Sequence, residues 1–207
     1  MAVSLRRASP GSPPNSPASF HAPLFHDLVE SLDETQRHVA LDLGTASTGM
    51  LELLGRCRCR VEIVDLAYFG GIDQLSGLES RDELARAADA LVPDPWPGEP
   101  FDLVFCWDLP NYLTLEALSA LMKAIAKRAR PGALAHALIV YAERRMGAEP
   151  GRYVPTAEAE LIDTSTRQEL IDAPRYSPAD LGESVGGFTL DRARLLGNGM
   201  QEFLFRL

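Results

Sequence analysis

In the stretch Val39-Ala-Leu-Asp-Leu-Gly-Thr-Ala-Ser-Thr-Gly49, an apolar run passes through Asp42 into a turn of small residues. The next residues, Met50-Leu-Glu-Leu-Leu54, are typical of a helix. Gly44 lets the backbone turn sharply without steric cost. Free backbone N–H groups at the start of the helix would attract an anionic ligand group. This pattern therefore predicts a strand, a glycine turn and a helix that together hold a ligand.

A second apolar run, Val61-Glu-Ile-Val-Asp65, ends in a carboxylate 21 positions after Gly44. In an open α/β sheet, an acid at about this offset binds the hydroxyls of a ribose. The motif G-x-G-x-x-G is not present, because the small residues have another spacing: Gly44, Ala46, Ser47 and Gly49. A plainer interpretation stays open, in which the glycines only mark a turn and Asp65 caps a loop.

Length and composition indicate one domain with a tail. The chain has 207 residues, of which 46% are hydrophobic, and this is enough for one sizeable core. Residues 1–20 hold four prolines, five serines and no acid, so we expect a disordered tail there and an α/β domain over residues 21–207. No apolar run approaches the roughly 20 residues that cross a bilayer. We therefore expect a cytoplasmic protein without a membrane partner.

Charge and cysteine content narrow the expected partners. The net charge of −9 works against broad affinity for nucleic acid, because phosphate binding depends on clustered Lys and Arg. Cys57, Cys59 and Cys106 are odd in number and have no His or Cys partner at a metal-ligand spacing. We expect incidental thiols, no metal, and a small-molecule or protein substrate.

Further along the chain, strand patterns alternate with helix patterns. Phe101-Asp-Leu-Val-Phe-Cys-Trp107 is an apolar run typical of a parallel strand covered on both faces. Residues 114–130 carry an apolar stripe at helical spacing, and another apolar run follows at residues 133–141. The remaining predicted elements are helices over residues 23–32, 48–55 and 80–91, strands over residues 38–43 and 60–65, and a short third strand near residues 91–92.

This order of elements predicts parallel βαβ units with right-handed crossovers. The predicted fold class is α/β, with a single Rossmann-like, doubly wound, mostly parallel sheet and a C-terminal antiparallel hairpin. Two strand-like runs around Gly197-Asn-Gly199, residues 188–195 and 200–207, indicate the hairpin. Residues 142–187 are polar and irregular, which is typical of a lid or substrate-binding insertion. Within them, a short helix is expected after Ser177.

A glycine turn after the first strand, an acid after the second and a closing hairpin resemble the class I S-adenosylmethionine-dependent methyltransferase superfamily over residues 38–207. Phe101-Asp-Leu-Val104 and Arg130-Pro-Gly132 also look like that family's pattern. The resemblance implies S-adenosylmethionine as cofactor and methyl transfer to a small molecule or a protein side chain. It implies cofactor binding by Asp42, Gly44, Thr45, Ala46, Ser47, Gly49, Asp65, Leu66 and Trp107.

The resemblance also places a methyl-transfer site after the fourth strand, at Asp108-Leu-Pro-Asn-Tyr112. This run has the residue types of the Asn/Asp-Pro-Pro-Tyr motif of amino-group methylases in another order. Asp108 and Tyr112 are the catalytic candidates, because either side chain can position or deprotonate a nucleophile. His136 and Tyr141 are weaker candidates. Structural roles stay open for Asp108 as a turn cap, Tyr112 packed by its ring, and His136 in a strand core.

Two further functions stay open. The family's usual spacing places glycine at positions 44, 46 and 48, whereas this chain has Ala46 and Thr48, which favours an inactive relative that binds or regulates. The Cβ of Ala46 would strain the turn if that residue were left-handed. A NAD-dependent dehydrogenase is the third possibility. The missing G-x-G-x-x-G and the C-terminal hairpin count against it.

Overall fold

A computed structural model describes residues 19–166, 169–182 and 185–207. At its centre is a six-stranded sheet in which four neighbouring strands are parallel and each of the last two strands is antiparallel to the strand before it. In spatial order the strands are β3 (Cys59–Ile63), β2 (His38–Asp42), β4 (Phe101–Trp107), β5 (Ala129–Val140), β11 (Met200–Arg206) and β10 (Thr189–Leu195). The chain is thus an α/β protein with a mixed central sheet.

Helices cover both faces of this sheet. On one face lie α4 (Arg81–Leu91) and α5 (Leu115–Ala126); on the other lie α1 (Pro23–Glu30) and α2 (Thr48–Gly55). Successive side chains of a strand point to opposite faces. Val39 and Leu41 therefore pack with α4 and α5, while Ala40 between them packs with α1 and α2. Both faces of the parallel strands are buried.

The strongest sequence patterns predicted their strands and helices correctly. β4 begins and ends at the predicted residues, and six of its seven residues are buried. α5 follows Thr114, whose hydroxyl accepts a hydrogen bond from the backbone N–H of Ala117. The helix ends at Ala126 rather than at the predicted Arg130, because β5 already begins at Ala129, where it pairs with β4.

The structure corrects the outer part of the predicted sheet. In the described part of the chain, no third strand forms near residues 91–92, since Leu91 ends α4 and Val92 only follows it. The connection from β3 to β4 holds α3 (Gly71–Ser76) and α4 instead, so β3 is an edge strand. β3 also ends at Ile63, which leaves Asp65 in the loop after the strand.

The insertion, residues 142–187, is less irregular than its sequence indicates. Its described part contains β6 (Arg145–Gly147), β7 (Tyr153–Pro155), β8 (Leu161–Asp163), β9 (Leu170–Asp172) and α6 (Pro178–Gly182). β6 pairs with β9, and β7 pairs with β8. The predicted helix after Ser177 is present as α6. These strands are three residues long, too short to show a periodic sequence pattern.

The N-terminal segment joins the insertion. Ser19 and Phe20 form β1, which pairs with β8 and adds a third strand to the β7–β8 hairpin. The predicted tail over residues 1–20 therefore overlaps two residues that belong to a strand. Its other residues, 1–18, lie outside the described ones. Among the helices that are described, none is long and apolar enough to cross a membrane.

Candidate functional site

A cleft of about 590 Å³ lies at the carboxyl ends of β2, β3 and β4. Ligands of open α/β sheets bind at this edge, and the volume is within the range of small-molecule sites. Residues from three separate strand ends meet there because parallel strands all end on the same side. Six of the residues singled out in the sequence line the cleft: Gly44, Thr45, Asp65, Trp107, Asp108 and Tyr112.

Asp65 lies in the cleft wall and is oriented by its neighbours. One carboxylate oxygen accepts a hydrogen bond from the Thr45 hydroxyl at 2.7 Å, and the other accepts one from the backbone N–H of Tyr68 at 3.0 Å. A carboxylate has about four acceptor positions, so both oxygens can accept further hydrogen bonds. The carboxylate of Asp65 is therefore held in a fixed orientation with acceptor positions to spare.

Asp42 lies beneath the glycine turn, fully buried. Its Oδ1 accepts hydrogen bonds from the indole N–H of Trp107 at 2.6 Å and from the backbone N–H of Gly44 at 2.9 Å. Burial is the main reason that the pKa of Asp42 is raised to about 6; the two hydrogen bonds oppose the rise, and the charge of Asp65 adds to it. The role of Asp42 in this structure is to hold the turn and the indole together.

Trp107 closes over the turn. A methyl group added at Gly44 would lie 2.5 Å from the indole Cδ1 of Trp107, so only glycine fits at position 44. Trp107 has a φ of 51°, an uncommon conformation for a bulky residue at the end of a strand. Its indole stacks on the ring of Tyr153, with ring centres 5.7 Å apart and an angle of 18° between the planes. The indole is thus fixed between the turn and the insertion.

The first turn of α2 is covered by β7. Ser47 caps the helix by accepting a hydrogen bond from the backbone N–H of Met50 at 3.2 Å. A methyl group added at Gly49 would lie 2.3 Å from the carbonyl oxygen of Pro155. Glycine is required at position 49 because the backbone of the insertion passes directly over it.

Five of the predicted cofactor residues do not line the cleft: Asp42, Ala46, Ser47, Gly49 and Leu66. Leu66 is buried in the apolar core. Ala46 is exposed and does not have a positive φ, so the strain expected for a left-handed Ala46 does not arise. The family pattern marks the turn as one block, whereas the structure separates residues that shape the turn from those that face the cleft.

Asp108, a catalytic candidate, anchors the insertion. Its two carboxylate oxygens lie 3.1 and 3.0 Å from the backbone nitrogen of Gly151, which donates to them. One of these oxygens also accepts a hydrogen bond from the Tyr153 hydroxyl at 3.0 Å. Asp108 is buried, at 1% exposure. Its hydrogen bonds hold residues 151–153 against the end of β4.

Tyr112, the other catalytic candidate, anchors the same segment. Its hydroxyl lies 2.7 Å from the carbonyl oxygen of Glu149 and 3.0 Å from that of Gly147, and these two acceptors share its one hydrogen. Neighbouring Asn111 ties the turn to β5 by donating to the carbonyl of Leu138 and accepting from the N–H of Val140. The turn after β4 is therefore a structural junction between the sheet and the insertion.

His136 and Tyr141 lie away from the cleft lining. His136 is buried in β5, with its Nε2 2.9 Å from Glu202. Glu202 also accepts hydrogen bonds from the backbone N–H groups of Leu24 and Phe25 at the start of α1. Burial opposes ionisation of Glu202, but the contact with His136 and the two backbone donors lower its pKa overall. His136 is thus a buried residue of the strand core that contacts Glu202, which agrees with the structural alternative.

Several residues of the cleft lining were missed in the sequence: Tyr68, Asp73, Cys106, Glu149 and Gly151. The available signal was the aromatic pair Tyr68-Phe69 directly after the strand-end acid. Their side chains are 79% and 74% exposed, and Tyr68 lines the cleft. Burial raises the pKa of the Cys106 thiol to about 12, which disfavours the thiolate form.

Comparison with known proteins finds similarity in structure only. No protein-family model and no curated protein matches the sequence. The structure is similar to a putative O-methyltransferase from Nostoc punctiforme, with a TM-score of 0.51, 11% identity, and coverage of 90% of this chain and 56% of that one. The chain thus spans little more than half of that relative.

Two other solved structures give lower scores. An S-adenosylmethionine-dependent methyltransferase from Clostridium acetobutylicum has a TM-score of 0.48 and 14% identity, over 88% of this chain and 89% of that one. The other is the 1,6-didemethyltoxoflavin-N1-methyltransferase of Burkholderia thailandensis, solved with bound 1,6-didemethyltoxoflavin and S-adenosylhomocysteine. It has a TM-score of 0.46 and 15% identity, over 88% of this chain and 76% of that one.

The likeness to the Nostoc protein shows that this chain has a methyltransferase fold. The α/β fold that the sequence resemblance implied is therefore confirmed. A fold supports many reactions, so the function has to be argued from the cleft.

Proposed function

We propose that this protein binds S-adenosylmethionine in the cleft and transfers its methyl group to a small molecule or a protein side chain. The proposal rests on the position of Asp65 in the cleft wall, beside Gly44 and Thr45 and across from the end of β4. A carboxylate at the second of two neighbouring parallel strand ends suits a ligand with a ribose. The fold is one that methyltransferases use.

The cleft fits the nucleoside part of this cofactor. Asp65 would accept hydrogen bonds from the ribose hydroxyls, and Gly44 and Thr45 line the cleft beside it. When bound, S-adenosylmethionine supplies a methyl group on a positively charged sulfur. The charged residues of the lining are mostly acidic, with four carboxylic side chains against one guanidinium, and this favours a cationic ligand. They are Asp65, Asp73, Asp108, Glu149 and Arg152.

The proposed reaction does not depend on a base in the cleft. Asp108 and Tyr112 are both engaged in holding residues 147–153. Positioning an acceptor in line with a reactive donor can supply most of a rate enhancement without proton transfer. In this proposal, the two side chains act by fixing the cleft wall that the acceptor contacts.

A second candidate function is binding without methyl transfer. The observation that favours it is the cover over the turn, because Trp107 lies against Gly44 and Pro155 lies against Gly49. These contacts fill the space beside both glycines of the turn. A protein that binds only the nucleoside part of a ligand would serve as a sensor or a regulatory module.

We further propose a cytoplasmic setting and a substrate other than nucleic acid. Cys57, Cys59 and Cys106 are all free thiols, in keeping with a reducing compartment. The net charge of −9 supports an acceptor that does not carry a phosphate backbone.

Calorimetric titration tests the function. Wild type should bind S-adenosylhomocysteine, and Asp65→Ala should weaken this binding by about 1.5–3 kcal/mol, the range for hydrogen bonds to a charged group. Asp191→Ala is the matched control, since Asp191 lies on β10 at the far edge of the sheet. Equal affinity in a folded Asp65→Ala variant would remove Asp65 from the site. Preference for NAD would favour the dehydrogenase alternative.

A further inference from the structure

A second groove, of about 580 Å³, lies between α4 and α5 and is nearly as large as the cleft. The groove and the cleft have no lining residue in common, so the groove is separate from the site described above. α4 and α5 cover the same face of the sheet and contact each other. The groove follows the solvent side of their seam, since Ala85, Glu116 and Lys123 in its lining are exposed.

The floor of this groove is apolar. Residues three or four positions apart lie on the same face of a helix, and such residues of α4 and α5 meet at the seam. Three of them are alanines, whose short side chains leave space above the floor for the side chains of a partner. Burial of a partner's apolar side chains there would be favourable. The floor residues are Leu84, Ala85, Leu115, Ala120 and Ala124.

The charged side chains of the lining are mostly basic. Arg81, Lys123 and Lys127 stand against one acid, Glu116. This local balance has the opposite sign to the net charge of −9 of the whole chain. Within the described part of the chain, Arg81 and Lys123 take part in no ion pair. Two of the three cations are therefore free to bind an anionic partner.

Neighbouring acids do not neutralise the groove. Asp82 and Glu83 lie in the first turn of α4, but neither lines the groove. Asp89 accepts a hydrogen bond from Lys127 at 2.9 Å, and the same oxygen accepts one from Arg128 at 3.0 Å. Because Asp89 is shared between two cations, it compensates the charge of Lys127 only in part.

The backbone of α4 and α5 limits the shape of an occupant. Inside a helix, the backbone N–H and C=O groups are paired with each other, so an extended segment would find no backbone partners in this groove. A helical segment satisfies its own backbone. α5 has 12 residues and is therefore about 18 Å long, which matches a helix of about three turns.

Other occupants fit less well. A second copy of this chain docked through the same groove would bring two basic linings together. A nucleic acid would use the cations and leave the apolar floor unused. We infer that the α4–α5 groove docks an acidic amphipathic helix of another protein, with its apolar face on the floor and its carboxylates beside Arg81 and Lys123. Such docking does not depend on the ligand of the cleft.

Fluorescence anisotropy with synthetic peptides tests this docking. The probe is a labelled peptide of about 18 residues, long enough to be partly helical in water, with Leu and Ala on one face and Glu on the other. Wild type should bind it at least about tenfold more tightly than the same peptide with Lys in place of each Glu. A peptide of the same composition in scrambled order has no apolar face and should also bind at least about tenfold more weakly.

Charge reversal in the groove should weaken binding of the Glu peptide. We expect a loss of about three- to tenfold for Arg81→Glu and of at least about tenfold for the double variant with Lys123→Glu. Arg81→Glu places an acid in the first turn of α4, where the helix dipole favours it, so this variant should fold. Arg86→Glu is the matched control, because Arg86 is exposed on the same helix outside the groove lining. It should leave the affinity within about twofold of wild type.

A change in the floor separates shape from charge. Ala85→Gln keeps the charge of the groove and places a longer side chain over its floor, at an exposed position where folding should not suffer. It should weaken binding of the Glu peptide about fivefold or more, whereas an attraction that depends on charge alone would leave the affinity unchanged and contradict the docking of an apolar face.

Other results would also overturn this docking site. They are an absence of binding of the Glu peptide to wild type, or equal affinities of wild type and the double variant. A DNA duplex that binds wild type more tightly than the Glu peptide does, and binds the double variant weakly, would make the groove a nucleic-acid site instead. Dimerisation of wild type in sedimentation equilibrium, abolished by Ala85→Gln, would make a second copy of this chain the occupant.

Discussion

The positions of Gly44 and Trp107 depend on each other. The indole lies so close to the turn that a side chain at position 44 would overlap it. Trp107 can lie there because Asp42, buried under the turn, accepts a hydrogen bond from the indole N–H. Asp42 and Gly44 are separated from Trp107 by more than 60 positions in the sequence. The residue types in the sequence therefore indicate a ligand site. The contacts in the structure are needed to show that Asp42, Gly44 and Trp107 shape the turn.

Ionisation of Asp42 should lower the free energy of unfolding as the pH rises from about 4 to about 6. The pKa of this carboxyl is raised from 3.8 to about 6 in the folded protein, so the unfolded chain releases the proton at a lower pH than the folded one. The stabilisation that comes from keeping Asp42 protonated in the folded state is fully present below about pH 4 and lost above about pH 6. A shift of about two pKa units corresponds to at most about 3 kcal/mol.

Urea unfolding at pH 4.5 and 7.5 measures this effect in wild type and Asp42→Asn. Between the two pH values, wild type should lose free energy of unfolding relative to the variant. Asp191→Asn, far from the turn, should follow wild type at both pH values. A constant difference between wild type and Asp42→Asn would mean that the buried carboxyl is not protonated preferentially in the folded state.

At the scale of elements, local sequence was sufficient for the buried strands and insufficient for the insertion. β4 was predicted to the residue, because seven consecutive residues carry the apolar signal of a strand covered on both faces. β7 was not predicted, since three residues show no period and the strand pairs with β8, which itself pairs with β1 from the other end of the chain. For the same reason, the hydrogen bond from Tyr153 to Asp108, across 45 positions, had no local signal.

α1 depends on a carboxylate from another element. Glu202 of β11 accepts hydrogen bonds from the N–H groups of Leu24 and Phe25, where Ala22 at the N-cap offers no side-chain cap. Glu202→Gln replaces one acceptor by a donor and should lower the free energy of unfolding by about 1–3 kcal/mol, the range for leaving a buried polar group unpaired. Amide hydrogen exchange at Leu24 should become faster.

Glu62→Gln is the control for this variant. Glu62 forms a partly exposed ion pair with Arg60, so its loss should cost no more than about 1 kcal/mol and should not change exchange in α1. Equal exchange rates at Leu24 in wild type and Glu202→Gln would contradict the role of Glu202 as the cap of α1.

At the scale of the molecule, the sheet brings distant strand ends to one edge, and the insertion forms the outer wall of the cleft there. Gly147, Glu149 and Gly151 of the insertion are held by the turn after β4. The sequence indicated both the edge and the acid of the cleft. It did not indicate that the insertion covers α2, because this depends on how β7 packs in three dimensions.

A crystal structure with S-adenosylhomocysteine would show where the ligand binds. The expected result is a ligand in the cleft with its ribose hydroxyls within hydrogen-bond distance, about 2.5–3.0 Å, of the Asp65 carboxylate. A ligand bound elsewhere, or a ribose in the cleft that makes no contact with Asp65, would contradict the assignment of this cleft as a cofactor site.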